Sequence, residues 1–218
     1  MLLLSNEKFG RSMGDKMNRA KSIVQVTSAL LIMMGIIHAT MTIKSVAPNF
    51  STEILQNGAY VLMVLGTLAF IAMSKKSLRD VGLFRGHFVR QLIVGGVIGG
   101  IFLVACGAFT GWRFFANGCS LYIVLSQLLV AFAEELFFRG YLLEMMKDVA
   151  RTSERAVIIS AFLFGLWHYP ISHNIGLVII TFFLGAIYGT LRTLFAKTEK
   201  EIGIVSLSIA HWLFNVVL

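Results

Sequence analysis

Seven apolar runs close to the length of a bilayer span recur along the chain, at 22–43, 54–73, 91–109, 119–146, 156–171, 175–191 and 202–218. A hydrocarbon core about 30 Å thick takes roughly 20 residues of helix. The last three runs are short for that, and the fourth is long enough to tilt or protrude. In lipid, backbone polar groups must bond within their own segment, so such runs become helices. The reading is an all-α, polytopic membrane helix bundle of about seven transmembrane helices. Composition agrees: 57% of the 218 residues are hydrophobic and 14% charged, against about 25% charged in a soluble domain.

The two prolines, Pro48 and Pro170, make no linker. One domain is expected over 22–218, after a cytoplasmic N-terminal segment at 1–21, either disordered or lying on the membrane surface. The run after Lys21 exceeds a signal-peptide core and no small-residue cleavage site follows it. Cys106 and Cys119 lack CxxC spacing and a nearby histidine, so they read as thiols in apolar sites.

Basic residues set the orientation. Five precede the first run, five lie between the second and third, three follow the fourth and three follow the sixth. Those are alternate connections, so 16 of the 19 Lys and Arg fall on one side, against Lys44 and Arg113 on the other. The N-terminus is expected in the cytoplasm and the C-terminus outside. This asymmetry explains the net charge of +8 without nucleic acid. The GGVIGG stretch, Gly95–Gly100, contains two overlapping G-x-x-x-G patterns, a helix-contact surface.

Few ionisable groups fall inside the runs, and such groups usually face the bundle interior and serve a purpose. The fourth run holds Glu134, Glu135 and Arg139, the fifth His168, and the seventh His211 and Asn215. Glu135 and Arg139 are four apart with the acid first, the favourable order for a helical ion pair. Glu134 lies about 100° around the helix and has apolar residues, Val130 and Phe138, four positions away on either side. An unpaired carboxyl is the better candidate for acid–base work. His211 and Asn215 share one helix face, as do Phe164 and His168, whose aromatic ring can wall off or orient the imidazole. At ~1.5 Å per residue from the basic ends, Glu134 and His168 lie roughly 18 Å deep and His211 roughly 14 Å. Arg139 is expected nearer the inner interface, within reach of headgroups or water. His38, His87 and His173 read as structural.

EELFFR (Glu134–Arg139), FGLWH (Phe164–His168) and HWLFN (His211–Asn215) together resemble the three ordered motifs of the CPBP intramembrane protease family, also called the CAAX protease and bacteriocin-processing or Abi family. The resemblance covers about 121–218, and DVGLFRG (Asp80–Gly86) resembles a polar stretch often seen before that core. It implies an endopeptidase in which Glu134 activates water with help from His168. His211 and Asn215 hold the oxyanion, and Glu135 and Arg139 support the site. The implied substrate is a membrane-associated peptide or protein, with CAAX-type, bacteriocin or signal-peptide processing as the models. No cofactor is expected in this glutamic mechanism. The alternative is zinc on Glu134, His168 and His211, a His₂Glu set. No H-E-x-x-H pair occurs, and Asn is a poor zinc ligand. Water must reach the site, and a cavity open to the cytoplasmic side of a bacterial plasma membrane is expected. Two other classes stay open: a proton-coupled transporter, which calls for inverted repeats or broken helices, and a non-catalytic bacteriocin immunity protein.

Overall fold

The computed structural model describes residues 2–84, 86–110, 120–196 and 201–217. The elements are α1 (Leu2–Val46), α2 (Thr52–Met73), α3 (Phe88–Thr110), α4 (Leu121–Glu135), a π-helical segment (Leu136–Leu142), α5 (Leu143–Ala150), α6 (Ser153–Trp167), the single turn α7 (Tyr169–Ser172), α8 (Ile175–Leu194) and α9 (Ile204–Val217). No strand occurs among the described residues. Four helices start on a side-chain cap: the oxygens of Ser51, Ser120, Thr152 and Asn174 each accept from a backbone N–H three residues on.

All seven apolar runs form helices, but only five described helices are long and apolar enough to cross a membrane: Lys16–Val46, Thr52–Met73, Phe88–Ala105, Leu121–Ala150 and Ile175–Leu194. The remaining two, α6 and α9, reach only about 22 and 21 Å. α6 packs one face on α8 and turns Ile158 and Phe162 outward, and α9 packs between α3 and α4. With no proline before Pro48, α1 runs from Leu2 through Lys21 without a backbone break. Cys119, Arg85, Arg113, Lys197 and Lys200 lie outside the described residues, as does the side chain of Cys106.

Contacts define two ends. At the end carrying the basic connections, Lys76 pairs with Asp148 at 3.1 Å and Arg19 Nε donates to the Val149 carbonyl at 2.8 Å. The DVGLFRG stretch straps this end. Gly82 (φ +83°) accepts from Ile204 N at 3.0 Å, and buried Arg192 donates to the Asp80 carbonyl at 3.1 Å. A Cβ on Gly82 would come within 2.5 Å of that guanidinium. At the opposite end, the Asn57 amide donates to the Tyr122 hydroxyl and accepts from the Ser126 hydroxyl, both at 2.6 Å. This fixes α2 parallel to α4.

One of the two glycine patterns makes the expected contact. A Cβ on Gly95 would sit 2.5 Å from the Ser206 carbonyl on α9, and one on Gly99 2.7 Å from Leu213. Gly96 and Gly100 face open space. Close backbone approach of α3 and α9 therefore depends on a single G-x-x-x-G face.

Candidate active site

Glu134 and Glu135 end α4, and the backbone passes there into the π-helical segment. A π turn pairs backbone groups five residues apart. Here Phe138 O accepts from Leu143 N and also from the Ser160 hydroxyl at 2.8 Å. The wider turn lets both carboxylates and Arg139 sit inside the bundle: the three residues are 2%, 0% and 1% exposed.

Glu134 divides its two oxygens between two tasks. Oε1 accepts from the Tyr60 hydroxyl of α2 at 3.1 Å. Oε2 faces Nε2 of His168 at 4.0 Å and Nε2 of His211 at 3.8 Å. Both separations are too long for a direct hydrogen bond and suit a bridging water.

The far nitrogens of both rings are spoken for. His168 Nδ1 donates to the Phe164 carbonyl at 2.9 Å, and His211 Nδ1 donates to Glu135 Oε1 at 2.8 Å. A carbonyl and an ion-paired carboxylate only accept, so each Nδ1 carries the proton and each Nε2 is left to the pocket. Glu135 Oε1 also lies 3.1 Å from Arg139 Nη1, the predicted i,i+4 pair. The guanidinium stacks on Phe164, 3.9 Å from its centroid. Arg139 therefore reaches neither headgroups nor water. Phe164 and the surrounding core enclose it, which corrects the expectation of a site near the interface. Phe164 also meets the His168 ring edge-on at 4.8 Å. One aromatic thus supports a cation on its face and an imidazole at its side.

Glu134, Phe164, His168, His211 and Asn215 line one pocket of about 320 Å³. Glu135 and Arg139 lie behind His211. Phe137, Phe138, Tyr141 and Leu142, which follow Glu135 in the chain, are fully buried. Of the lining residues, Gln56, Ile171, Ser172 and Leu177 lie at helix ends away from the basic connections. His38, His87 and His173 are exposed and lie away from the pocket.

Sequence reasoning did not assign the polar lining residues Gln56, Tyr60, Gln127, Ser172, Thr181 and Tyr188 to the site. Gln127, Val130 and Glu134 share the i, i+3, i+7 face of α4, so that spacing could have flagged Gln127. Gln56 and Tyr60 are one turn apart on α2, yet nothing local ties them to Glu134. The link is the tertiary docking of α2.

A zinc centre needs donor atoms about 2.0–2.2 Å from one point. Among the described residues, no group of three or more His, Cys, Asp or Glu side chains takes that arrangement.

Neither a curated protein nor a solved structure matches the chain. The family model for type II CAAX prenyl endopeptidase Rce1-like proteins matches residues 116–217, the stretch that holds all three motifs. With several membrane-length helices around them, residues 116–217 are similar to the Rce1-like family of type II CAAX prenyl endopeptidases, and the chain has the helices of a multi-pass membrane protein.

Proposed function

We propose that this protein is an intramembrane endopeptidase that hydrolyses a peptide bond of a membrane-associated substrate with water activated by Glu134. The carrying observation is the Oε2 of Glu134, buried in the pocket and facing both Nε2 atoms across 3.8 and 4.0 Å. A water held between them gives one proton to the carboxylate as its oxygen attacks the substrate carbonyl carbon. The proton then passes to the departing amine, assisted by His168. His211 and the Asn215 amide donate to the oxyanion.

Glu135 Oε1 holds His211 Nδ1 at 2.8 Å, which aims the other ring nitrogen into the pocket for this role. The basic-residue asymmetry supports a cytoplasmic N-terminus, and a bacterial plasma membrane is the proposed location. The reading is tested by comparing membrane peptides in cells carrying wild-type or Glu134→Gln protein. The uncut precursor should accumulate in the mutant, and identical peptide profiles would sink the reading.

A further inference from the structure

The first N–H groups of a helix have no partner within it. At the start of α9, the helix that carries His211 and Asn215, they are met from distant segments. Ile204 N donates to the Gly82 carbonyl of the strap at 3.0 Å, and Gly203 N donates to Gln91 Oε1 of α3 at 2.8 Å. The same side chain donates from Nε2 to the Glu201 carbonyl at 2.8 Å. The Ser206 hydroxyl donates to the Gln91 carbonyl at 3.0 Å and also meets Gln91 Oε1. Gln91 is 3% exposed and so binds residues 201, 203 and 206 away from solvent. Gly203 leaves room for this: a Cβ there would lie 2.8 Å from the Gly82 carbonyl oxygen and 3.1 Å from Gln91 Oε1.

Gln91 also begins a contact line along α3. Gly95, one turn on, approaches Ser206 and Ile209, and Gly99 approaches Ala210 and Leu213. Those four residues of α9 form one stripe by their i, i+3, i+4, i+7 spacing. His211 follows Ala210 by about 100°. It therefore turns off the stripe, toward Glu135 Oε1 at 2.8 Å and Glu134 Oε2 at 3.8 Å. The glycines allow close approach but carry no side chain to lock it. The polar clamp at Gln91 supplies the lock, because hydrogen bonds tolerate only a narrow range of distance. Advancing α9 by one residue would move it about 1.5 Å and turn it about 100°, which takes His211 off the Glu135 side.

We infer that Gln91 is a positioning residue of the site: its clamp on the start of α9 sets the register in which His211 Nδ1 meets Glu135 and Nε2 faces Glu134. Gln91 does not line the pocket and acts through His211. The purpose of the alignment rests on the endopeptidase reading, but the alignment itself is read without turnover. It also gives a share in the site to α3, which lies before the matched residues 116–217.

The test is ¹⁵N NMR of the full-length protein, labelled on its five histidines and held in lipid nanodiscs. His211→Gln assigns the His211 resonances by their loss. Gln91→Leu keeps most of the side-chain volume and removes its donor and acceptor, whereas Ser206→Ala removes only the hydroxyl from the clamp. In Gln91→Leu the His211 Nδ1–H resonance should leave its carboxylate-bonded position. The His168 resonances should stay, because that Nδ1 is held by the Phe164 carbonyl four residues back. Ser206→Ala should move the His211 resonance in the same direction by less. A folded Gln91→Leu protein with a wild-type His211 resonance overturns the inference. A His168 shift as large as that of His211 overturns it too, since the bundle has then loosened as a whole. If Gln91→Leu does not fold, Ser206→Ala decides, and an unmoved His211 resonance there overturns the inference. A wild-type protein that cuts nothing removes the chemistry and leaves the alignment standing; an unmoved His211 does the reverse.

Discussion

Within the membrane-length windows, 44% of Leu121–Ala150 is buried in the protein, against 17% of Lys16–Val46 and of Phe88–Ala105. The two regions have nearly equal hydropathy, 1.7 against 1.8 and 2.0. What separates them is position. The first kind of helix is ringed by others and carries two carboxylates and a guanidinium; the second turns much of its surface outward. A charge at mid-bilayer is tolerable only where protein replaces lipid as its surroundings. Polarity in the fourth run thus forces centrality. Between the extremes sits α2, 33% buried, which delivers Tyr60 to the site from outside the family-matched stretch.

The sharpest way to break this contrast is Glu134→Gln. The amide keeps the size of the side chain and can still accept from Tyr60, so folding should persist. Turnover should fall by about a thousandfold, the usual scale for removing a general base. Initial rates in proteoliposomes measure this, and a variant within about tenfold of wild type would contradict the role.

Arg139→Leu attacks the same contrast through stability. It leaves Glu135 buried beside His211 with its guanidinium partner gone. Breaking a buried pair by removing one partner is strongly destabilising, here about 3 kcal/mol. Thermal unfolding in detergent should show it directly. Glu154→Gln at the exposed start of α6 should leave the transition in place.

These two predictions use residues that were legible in the sequence, and the reason is physical. Ionisable groups stand out against an apolar run, and a four-residue spacing within one helix fixes which of them meet. Glu135 with Arg139, Phe164 with His168, and His211 with Asn215 are all local pairs of this kind. Local spacing does not reveal which helix crosses which. It gave no hint that His211 Nδ1 would take Glu135 as its acceptor, or that Tyr60 would claim one oxygen of Glu134. The π-helical segment was equally hidden, because the Ser160 hydroxyl that bonds its Phe138 carbonyl comes from α6, 22 positions on. The depth estimate placed Glu134 and the two histidines in one layer but said nothing of the side from which they are reached.

Tyr60→Phe asks whether the less buried half contributes to the chemistry. The ring and its packing remain, and only the hydroxyl bonded to Glu134 Oε1 at 3.1 Å is lost. The carboxylate is then free to rotate its second oxygen away from the histidines. A hydrogen bond to a charged group is worth about 1.5 kcal/mol, so kcat should fall about tenfold. KM should hold, because the hydroxyl acts through Glu134 rather than on the substrate. A raised KM at full kcat would make Tyr60 a substrate contact instead.

The smallest effect is expected from metal removal, and it separates two ways in which the convergent half can work. Both imidazoles donate Nδ1 and turn Nε2 toward Glu134, which is also how a carboxylate or a carbonyl holds a metal-ligating histidine in place. The difference lies in what occupies the space between the three groups. In the glutamic mechanism it is water, and Glu134 must be able to take a proton from it. In a zinc mechanism Glu134 would be bound to the metal and could not. A strong membrane-permeant chelator should therefore leave the rate of the reconstituted protein unchanged. Activity lost to the chelator and restored by added zinc would transfer Glu134 from base to ligand. It would also move the task of activating water away from that carboxylate, leaving the family resemblance of residues 116–217 as it stands.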